Sequence, residues 1–213
     1  MKPGSEEWLA TNDYSKRLDQ LNIPTNILSK INTKQLVKIC LNYPQIELVF
    51  TRNNLIEGIS YISTNFNGFA ELFNRGDAGI ELLQSYQSFN PSNYKMMGES
   101  GRIQHKMDFI ILEMILSSPV ILNNMNKEER VELLNESYKM YEEKADYWDK
   151  FYLEQVSSNL LIMARILEID KPSIKDKNEI KKDMDILLKS GTTHNSAYVT
   201  ALINEVDSYL NNN

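Results

Sequence analysis

The sequence predicts an all-α fold: an irregular, superhelical array of about nine or ten helices arranged as helical hairpins, similar in architecture to an α-solenoid. Apolar residues recur every three or four positions along the 213-residue chain, and strict alternation is nearly absent. Glycine and proline are scarce, with 8 and 6 residues, and fall mostly where periodic segments end. We expect one helical domain over 1–213, with 90–101 as the candidate boundary between two halves.

The first half of the chain divides into helical segments at its caps and prolines. Pro24 opens a short helix and Thr33 is predicted to cap the next one. Pro44 ends that helix, because proline disfavours a helical conformation in the residue before it. Three further helical segments follow, at 53–64, 68–75 and 78–89. The segment 90–101, "NPSNYKMMGESG", is predicted to be a loop.

The tripeptide Arg75-Gly76-Asp77 matches an integrin adhesion signal but falls between two of these helical segments. Gly76 is predicted to end the first helix in a left-handed conformation, and Asp77 to cap the next. Arg75, in the last turn, complements the helix dipole. Because an adhesive signal needs an exposed, extended loop tip, the capping interpretation is favoured.

The segment 102–117 is predicted to be a helix that packs on two sides. One face carries Ile103, Met107, Ile110, Ile111 and Met114, and the opposite face carries Phe109, Leu112 and Leu116. Lys106 and Glu113 form a thin polar seam between the faces. A helix that is apolar on two sides contacts neighbours on two sides, so this one is expected at the centre of the fold.

The second half is predicted to contain a long helix capped by Asn126, preceded by a short helix that Pro119 opens. This short-then-long arrangement also follows Pro24, either as a generic helix-turn-helix pattern or as a duplicated unit. The long helix carries a stripe at three- and four-residue spacing: Leu134, Tyr138, Tyr141, Ala145, Trp148 and Tyr152. A helix of about 40 residues is unusual in a globular domain, so a break is expected near Asp149. Two more helices, 177–190 and 193–210, close the chain, with Gly191 as a C-terminal cap.

Composition and charge narrow the classes of partner. The formal net charge is −6, and a nucleic-acid groove would need a basic stripe that the chain lacks, so no nucleic-acid partner is expected. No apolar run approaches the roughly 20 residues of a membrane span. The sequence shows no signal segment, but a signal removed beforehand would leave the same sequence, so exported and cytoplasmic locations both stay open.

His105 is the candidate for catalysis. A lone histidine on an apolar face is typically a hydrogen-bonded core residue, but Asp108 could reach it. Such a pair is half of an acid–base site, so a hydrolase-type enzyme using His105 and Asp108 is one alternative. Neither a metal-ligand spacing nor a glycine-rich phosphate loop is present, so no metal and no cofactor is expected. The single cysteine, Cys40, is expected to pack as a small hydrophobe.

The candidate binding surface is an aromatic cluster on the long helix: Tyr138, Tyr141, Tyr147, Trp148 and Tyr152. Tyrosine and tryptophan are enriched at recognition surfaces, although such a stripe is more often core. Acidic residues beside the cluster are expected to be solvated, with Lys139 pairing to Glu143. We therefore predict a non-catalytic helical module that binds an unidentified protein or peptide. A carbohydrate-binding surface on the same helix is another alternative.

Two blocks of the first half resemble a known group of sequences. They are "IPTNILSKINTKQLVKICLNYP" (23–44) and "NFNGFAELFNRGDAG" (65–79). The pattern IPxxxL…LVxxCLxYP…FNGFxEL resembles a set of uncharacterised bacterial all-helical proteins, and the match covers about residues 23–80. Members of this set tend to be exported and have no established activity. The resemblance implies a helical fold and a non-catalytic protein, and it assigns no catalytic residue.

Overall fold

The computed structural model describes residues 4–10, 13–147 and 153–213, and within them every regular element is helical. The α-helices are α1 (Glu6–Ala10), α2 (Tyr14–Asp19), α3 (Thr25–Leu28), α4 (Thr33–Leu41), α5 (Leu55–Asn65), α6 (Asn67–Phe73), α7 (Ala78–Gln87), α8 (Glu99–Leu116), α9 (Pro119–Asn124), α10 (Lys127–Tyr147), α11 (Leu153–Asp170), α12 (Asn178–Ser190) and α13 (Ser196–Leu210). Three 3₁₀ helices join them: Ile46–Thr51, Pro91–Met96 and Pro172–Asp176. The all-α class is confirmed, and nine of the described α-helices have seven or more residues.

Helices α10 and α11, of 21 and 18 residues, form an antiparallel hairpin. Arg130, near the start of α10, pairs with Asp170 at the end of α11, with 3.1 Å from Nε to each carboxylate oxygen. Lys144, near the other end of α10, donates to the Asn159 side chain at 2.6 Å. The chain therefore reverses between α10 and α11, as the expected break requires. Asp149 itself lies outside the described residues.

Helix α8 is the central helix and contacts α4, α5, α7, α9 and α11. Its C-terminal half, residues 109–116, is buried on every side, so the predicted two-sided packing is confirmed there. The prediction was wrong for Ile103, which is 56% exposed because it lies near the N-terminal end of α8, away from this buried half. The helix begins at Glu99, and the predicted loop before it contains the 3₁₀ helix Pro91–Met96.

A buried group of polar side chains, called here the polar hub, joins α7, α8, α10 and α11. Its members are Tyr86, Glu113, Lys144, Ser158 and Asn159. The Glu113 carboxylate accepts from Lys144, from Ser158 and, at 2.7 Å, from the Tyr86 hydroxyl. The Asn159 amide donates to the Tyr86 oxygen at 2.7 Å. The prediction that Glu113 belongs to a thin polar seam was wrong, because its partners come from three other helices.

The polar hub holds a charged pair with no solvent exposure at either side chain. Burial lowers the pKa of the Lys144 ammonium, and the attraction of Glu113 opposes that shift. Burial also raises the pKa of Tyr86, and the negative charge of Glu113 adds to the effect. The Lys144 nitrogen lies 4.6 Å from the ring centroid of Phe109, which provides a further favourable contact for the cation. Buried charges are tolerated when they are paired and hydrogen-bonded, and here both conditions hold.

The Arg75-Gly76-Asp77 tripeptide joins two helix junctions. Arg75 donates to the carbonyl oxygens of Ile31, at 2.6 Å, and Leu28, at 3.2 Å. Asp77 accepts from the Thr33 hydroxyl at 2.7 Å. These bonds attach the junction of α6 and α7 to the segment between α3 and α4. The tripeptide therefore has a structural role, although not through the predicted caps.

Three of the predicted caps near this junction were wrong in detail. Gly76 does not have a positive φ, since only Gly4 and Gly191 do among the described residues. Asp77 precedes α7 but makes no capping hydrogen bond, because its carboxylate bonds to Thr33 instead. Thr33 is likewise the first residue of α4, and Asn32 caps that helix through the Gln35 amide. The predicted cap at Asn126 is confirmed, with 2.9 Å to the Glu129 amide.

Two further observations concern the core and the helix lengths. Cys40 is fully buried, as expected for a small hydrophobe, and burial raises the pKa of its thiol. Over the described ranges, no helix combines the length and the apolar character needed to cross a membrane.

Candidate functional site

The predicted catalytic pair lies on α8, but its two members have different partners. His105 is buried between aromatic rings, with centroid distances of 6.4 Å to Phe89 and 5.0 Å to Phe109. Its Nε2 atom lies 3.2 Å from the Asn90 carbonyl oxygen. Burial lowers the pKa of His105, while the Asn90 bond and the Asp108 charge act in the opposite direction. The Asp108 carboxylate accepts from the Gln104 side chain at 2.7 Å.

Asp108 also lines a small cleft of about 240 Å³, together with Lys38, Ser85 and Ser88; His105 is not among its lining residues. The Ser85 hydroxyl donates to the Glu81 carbonyl at 2.9 Å, and the Ser88 hydroxyl donates to the Ser85 carbonyl at 2.6 Å. An activated serine nucleophile donates to a base. Both hydroxyl protons here are directed at helix carbonyls instead.

The predicted aromatic cluster is only partly described. Tyr138 and Tyr141 are half-buried and pack against the core. Trp148 and Tyr152 lie outside the described residues, as does the side chain of Tyr147. Burial raises the pKa of Tyr138, and the charges of Glu142, on the same helix, and Asp207, on α13, contribute to the shift. The described part of the cluster is therefore a boundary between the core and the surface.

The polar side of α10 forms a shallow cleft of about 470 Å³ with residues between 87 and 92. From α10, this cleft is lined by Lys139, Met140 and Glu143, and neither described tyrosine belongs to it. The expected pair is present, since the Lys139 nitrogen lies 4.0 Å from Glu143. The Lys139 nitrogen also lies 3.4 Å from Glu136, so Lys139 pairs with two carboxylates on this acidic face.

A larger cleft of about 660 Å³ lies between the 3₁₀ helix Ile46–Thr51, the start of α5, the middle of α8 and the loop before α13. We call it the α5–α8 cleft. Its apolar lining consists of Val49, Phe50, Leu55, Met107 and Ile110. Its polar lining consists of Glu47, Arg52, Asn53, Asn54, Thr192 and His194. Clefts of about 300–1,000 Å³ with an apolar lining and a few polar groups are typical of ligand-binding sites.

One wall of the α5–α8 cleft depends on a close approach at Gly58. A Cβ atom at this position of α5 would lie 2.0 Å from the backbone oxygen of Val49. Glycine therefore lets α5 press directly against the 3₁₀ helix. Asn54 then caps α5 through the Glu57 amide at 2.9 Å, and Asn53 and Asn54 both donate to the Glu57 carboxylate.

A second close approach involves Gly191, which ends α12 with a φ of 78° and donates to the Leu187 carbonyl at 2.8 Å. The predicted cap at this residue is confirmed. A Cβ atom at Gly191 would lie 3.4 Å from the Leu55 Cβ atom, so the loop passes close to the start of α5. This approach places Thr192 and the exposed His194 at the rim of the cleft.

Arg52 gives the rim of the α5–α8 cleft a positive charge. Its guanidinium carbon lies 3.5 Å from the centroid of the Tyr61 ring, so the two groups stack. Among the described residues, no carboxylate forms an ion pair with Arg52. Stacking uses the face of the guanidinium and leaves its in-plane N–H groups free to bind an acceptor.

Sequence analysis missed the α5–α8 cleft, although local signals were present. The segment "QIELVFTR" (45–52) lies outside the predicted helices, and it combines apolar residues with an arginine, directly before Asn53 and Asn54. Phe50 is 38% exposed there, whereas its neighbour Val49 is fully buried.

The last two findings concern metal ligands and similarity to known proteins. Within the described ranges, no three His, Cys, Asp or Glu side chains converge so as to hold a metal ion. Comparison of the chain with family models, with curated proteins and with solved structures finds no match.

Proposed function

We propose that the protein is a non-catalytic binding module that holds a segment of a partner polypeptide in the α5–α8 cleft. The observation that carries this proposal is the 38% exposure of Phe50 in a cleft that it lines together with the apolar residues Val49, Leu55, Met107 and Ile110. An apolar side chain of the partner that covers Phe50 would remove both surfaces from water. Burying one such side chain contributes about 1.5–3 kcal/mol, so the polar rim must supply further affinity.

The lining of the cleft suits binding. Its apolar residues Val49, Phe50, Leu55, Met107 and Ile110 lie beside a few polar groups, the composition typical of a ligand-binding cleft. Two of its polar residues, Asn53 and Asn54, are engaged in holding the start of α5. A rigid wall of this kind suits recognition, because little conformational freedom is lost when a ligand binds.

The proposal keeps the predicted function, binding of a protein or peptide, but assigns it to residues other than the aromatic cluster of α10. The sequence pointed to the tyrosines of α10, of which Tyr138 and Tyr141 are half-buried. The α5–α8 cleft instead offers an exposed apolar side chain beside a concave surface, which is the arrangement that binds an anchor residue.

A display experiment with a random peptide library tests the proposal. The immobilised protein is panned against the library, alongside Phe50→Glu and the control Ile186→Glu. Ile186 is 47% exposed on α12 and does not line the cleft. We expect peptides with a large apolar residue to be enriched on the wild type and the control and lost on Phe50→Glu. Equal enrichment on all three proteins, or none on the wild type, would contradict the proposal.

A further inference from the structure

We infer that the bound segment carries a carboxylate beside its apolar anchor, and that Arg52 binds this carboxylate. The inference rests on the proposed function, because it names the chemistry of the segment held in the α5–α8 cleft. It adds the requirement that the bound segment has a negative charge at the end of the cleft where Arg52 lies.

The first support is the orientation of the guanidinium. Arg52 is stacked on Tyr61 at 3.5 Å and follows directly after the 3₁₀ helix that carries Phe50. Arginine presents its N–H groups in a planar fork that matches the two oxygens of a carboxylate. Because stacking already holds the fork, less side-chain entropy is lost when an acceptor binds.

The second support is that the two asparagines beside Arg52 are held by Glu57. The side-chain amides of Asn53 and Asn54 donate to Glu57, at 2.8 and 3.1 Å. The Glu57 carboxylate accepts both of these bonds and, among the described residues, forms no ion pair with Arg52. The guanidinium is therefore a cation at this end of the cleft that no described carboxylate pairs with, and it can bind an acidic ligand.

The third support is the position of the opposite charge. Glu47 lies three residues before Phe50 in the 3₁₀ helix, and residues with this spacing share one face. The cleft lining thus carries a carboxylate three residues before the exposed Phe50 and a cation two residues after it. An acidic residue of the partner is favoured at the Arg52 end and disfavoured at the Glu47 end, so the acid should occur on one side of the anchor only.

The experiment pans the same peptide library on the wild type, on Arg52→Gln, Arg52→Lys and Arg52→Glu, and on the control Lys34→Gln. Lys34 is exposed on α4 and lies outside the cleft, so the control matches the change of charge. Circular dichroism first checks that each variant is folded. On the wild type and the control we expect Asp or Glu to be enriched on one side of the apolar anchor.

The enrichment of Asp or Glu should be kept in part on Arg52→Lys and lost on Arg52→Gln. On Arg52→Glu, Lys or Arg should be enriched at the same position instead. The synthesised acidic peptide should bind Arg52→Gln with a Kd about tenfold higher, as expected for the loss of charge-assisted hydrogen bonds. Apolar anchors without an acid preference on the wild type, or an acid preference unchanged by Arg52→Gln, would overturn the inference and leave the proposed function standing. Absence of peptides with an apolar anchor on the wild type would refute both the inference and the proposed function.

Discussion

Replacing Lys144 by methionine removes the cation of the polar hub and leaves the carboxylate of Glu113 buried without its counter-charge. Both side chains have no exposed surface, and they come from helices α10 and α8. Removing one partner of a buried ion pair costs about 3–5 kcal/mol, because the remaining charge stays in a medium of low polarity. For a chain of this size, about 2–4 °C is lost per kcal/mol, so Tm should fall by about 6–20 °C.

The assay is a double-mutant cycle measured by urea unfolding. The variants are Lys144→Met, Glu113→Gln and the double variant, which removes both charges. Because the second substitution removes the charge that the first left unpaired, the loss in the double variant should be smaller than the sum of the single losses by at least about 2 kcal/mol. Additivity of the two losses within about 0.5 kcal/mol would refute the reasoning.

A matched control is available on the same helix. The side chain of Lys139 is 57% exposed, and it pairs with Glu136 and Glu143. Lys139→Met makes the same chemical change at an exposed ion pair, so it should cost less than about 1 kcal/mol. A loss as large as that of Lys144→Met would show that burial of the charge is not the cause.

Three further predictions concern stability. Burial lowers the pKa of His105 from its ordinary 6.5, so the unfolded chain takes up a proton before the folded one, and stability is lost as pH falls from 7 to 5. His105→Gln should reduce this loss relative to the exposed control His194→Gln, as measured by urea unfolding at both pH values. Gly58→Ala should lower the free energy of unfolding by about 3 kcal/mol, because the new Cβ atom would collide with the backbone of Val49. At Gly76 the new Cβ atom meets open space, so Gly76→Ala should leave the midpoint of thermal unfolding unchanged. Arg75→Ala should lower the free energy of unfolding by about 2–3 kcal/mol in urea, because two carbonyl oxygens lose a charged donor; an unchanged urea midpoint would contradict this.

The helical architecture could be predicted because it follows from local periodicity and caps. The spacing of apolar residues identified α8 as the central helix, and Gly191 was correctly identified as a cap. The environment of Glu113 could not be predicted in the same way. Its partner Lys144 is 31 residues away, and each residue alone resembles an ordinary surface charge.

The α5–α8 cleft shows the same limit for a functional site. Its walls come from three separate parts of the chain, 47–55, 107–110 and 192–194, and Gly58 and Gly191 allow close contacts beside it. The exposure of Phe50 is likewise a tertiary property, because the fully buried Val49 is its neighbour in sequence. The tyrosines of α10 were a reasonable choice from composition, but the packing of Tyr138 and Tyr141 against the core is a tertiary property too.

The most direct test of the central claim, that the α5–α8 cleft is the binding site, is an NMR titration. The ¹⁵N-labelled protein is titrated with a peptide selected on the wild type, and the shifts of its backbone amides are followed. We predict that the largest shifts occur in 46–55, 107–110 and 191–194, and that they disappear in Phe50→Glu. Shifts centred on residues 138–147 of α10, with the cleft unchanged, would contradict the claim and would instead support the tyrosine surface that the sequence suggests.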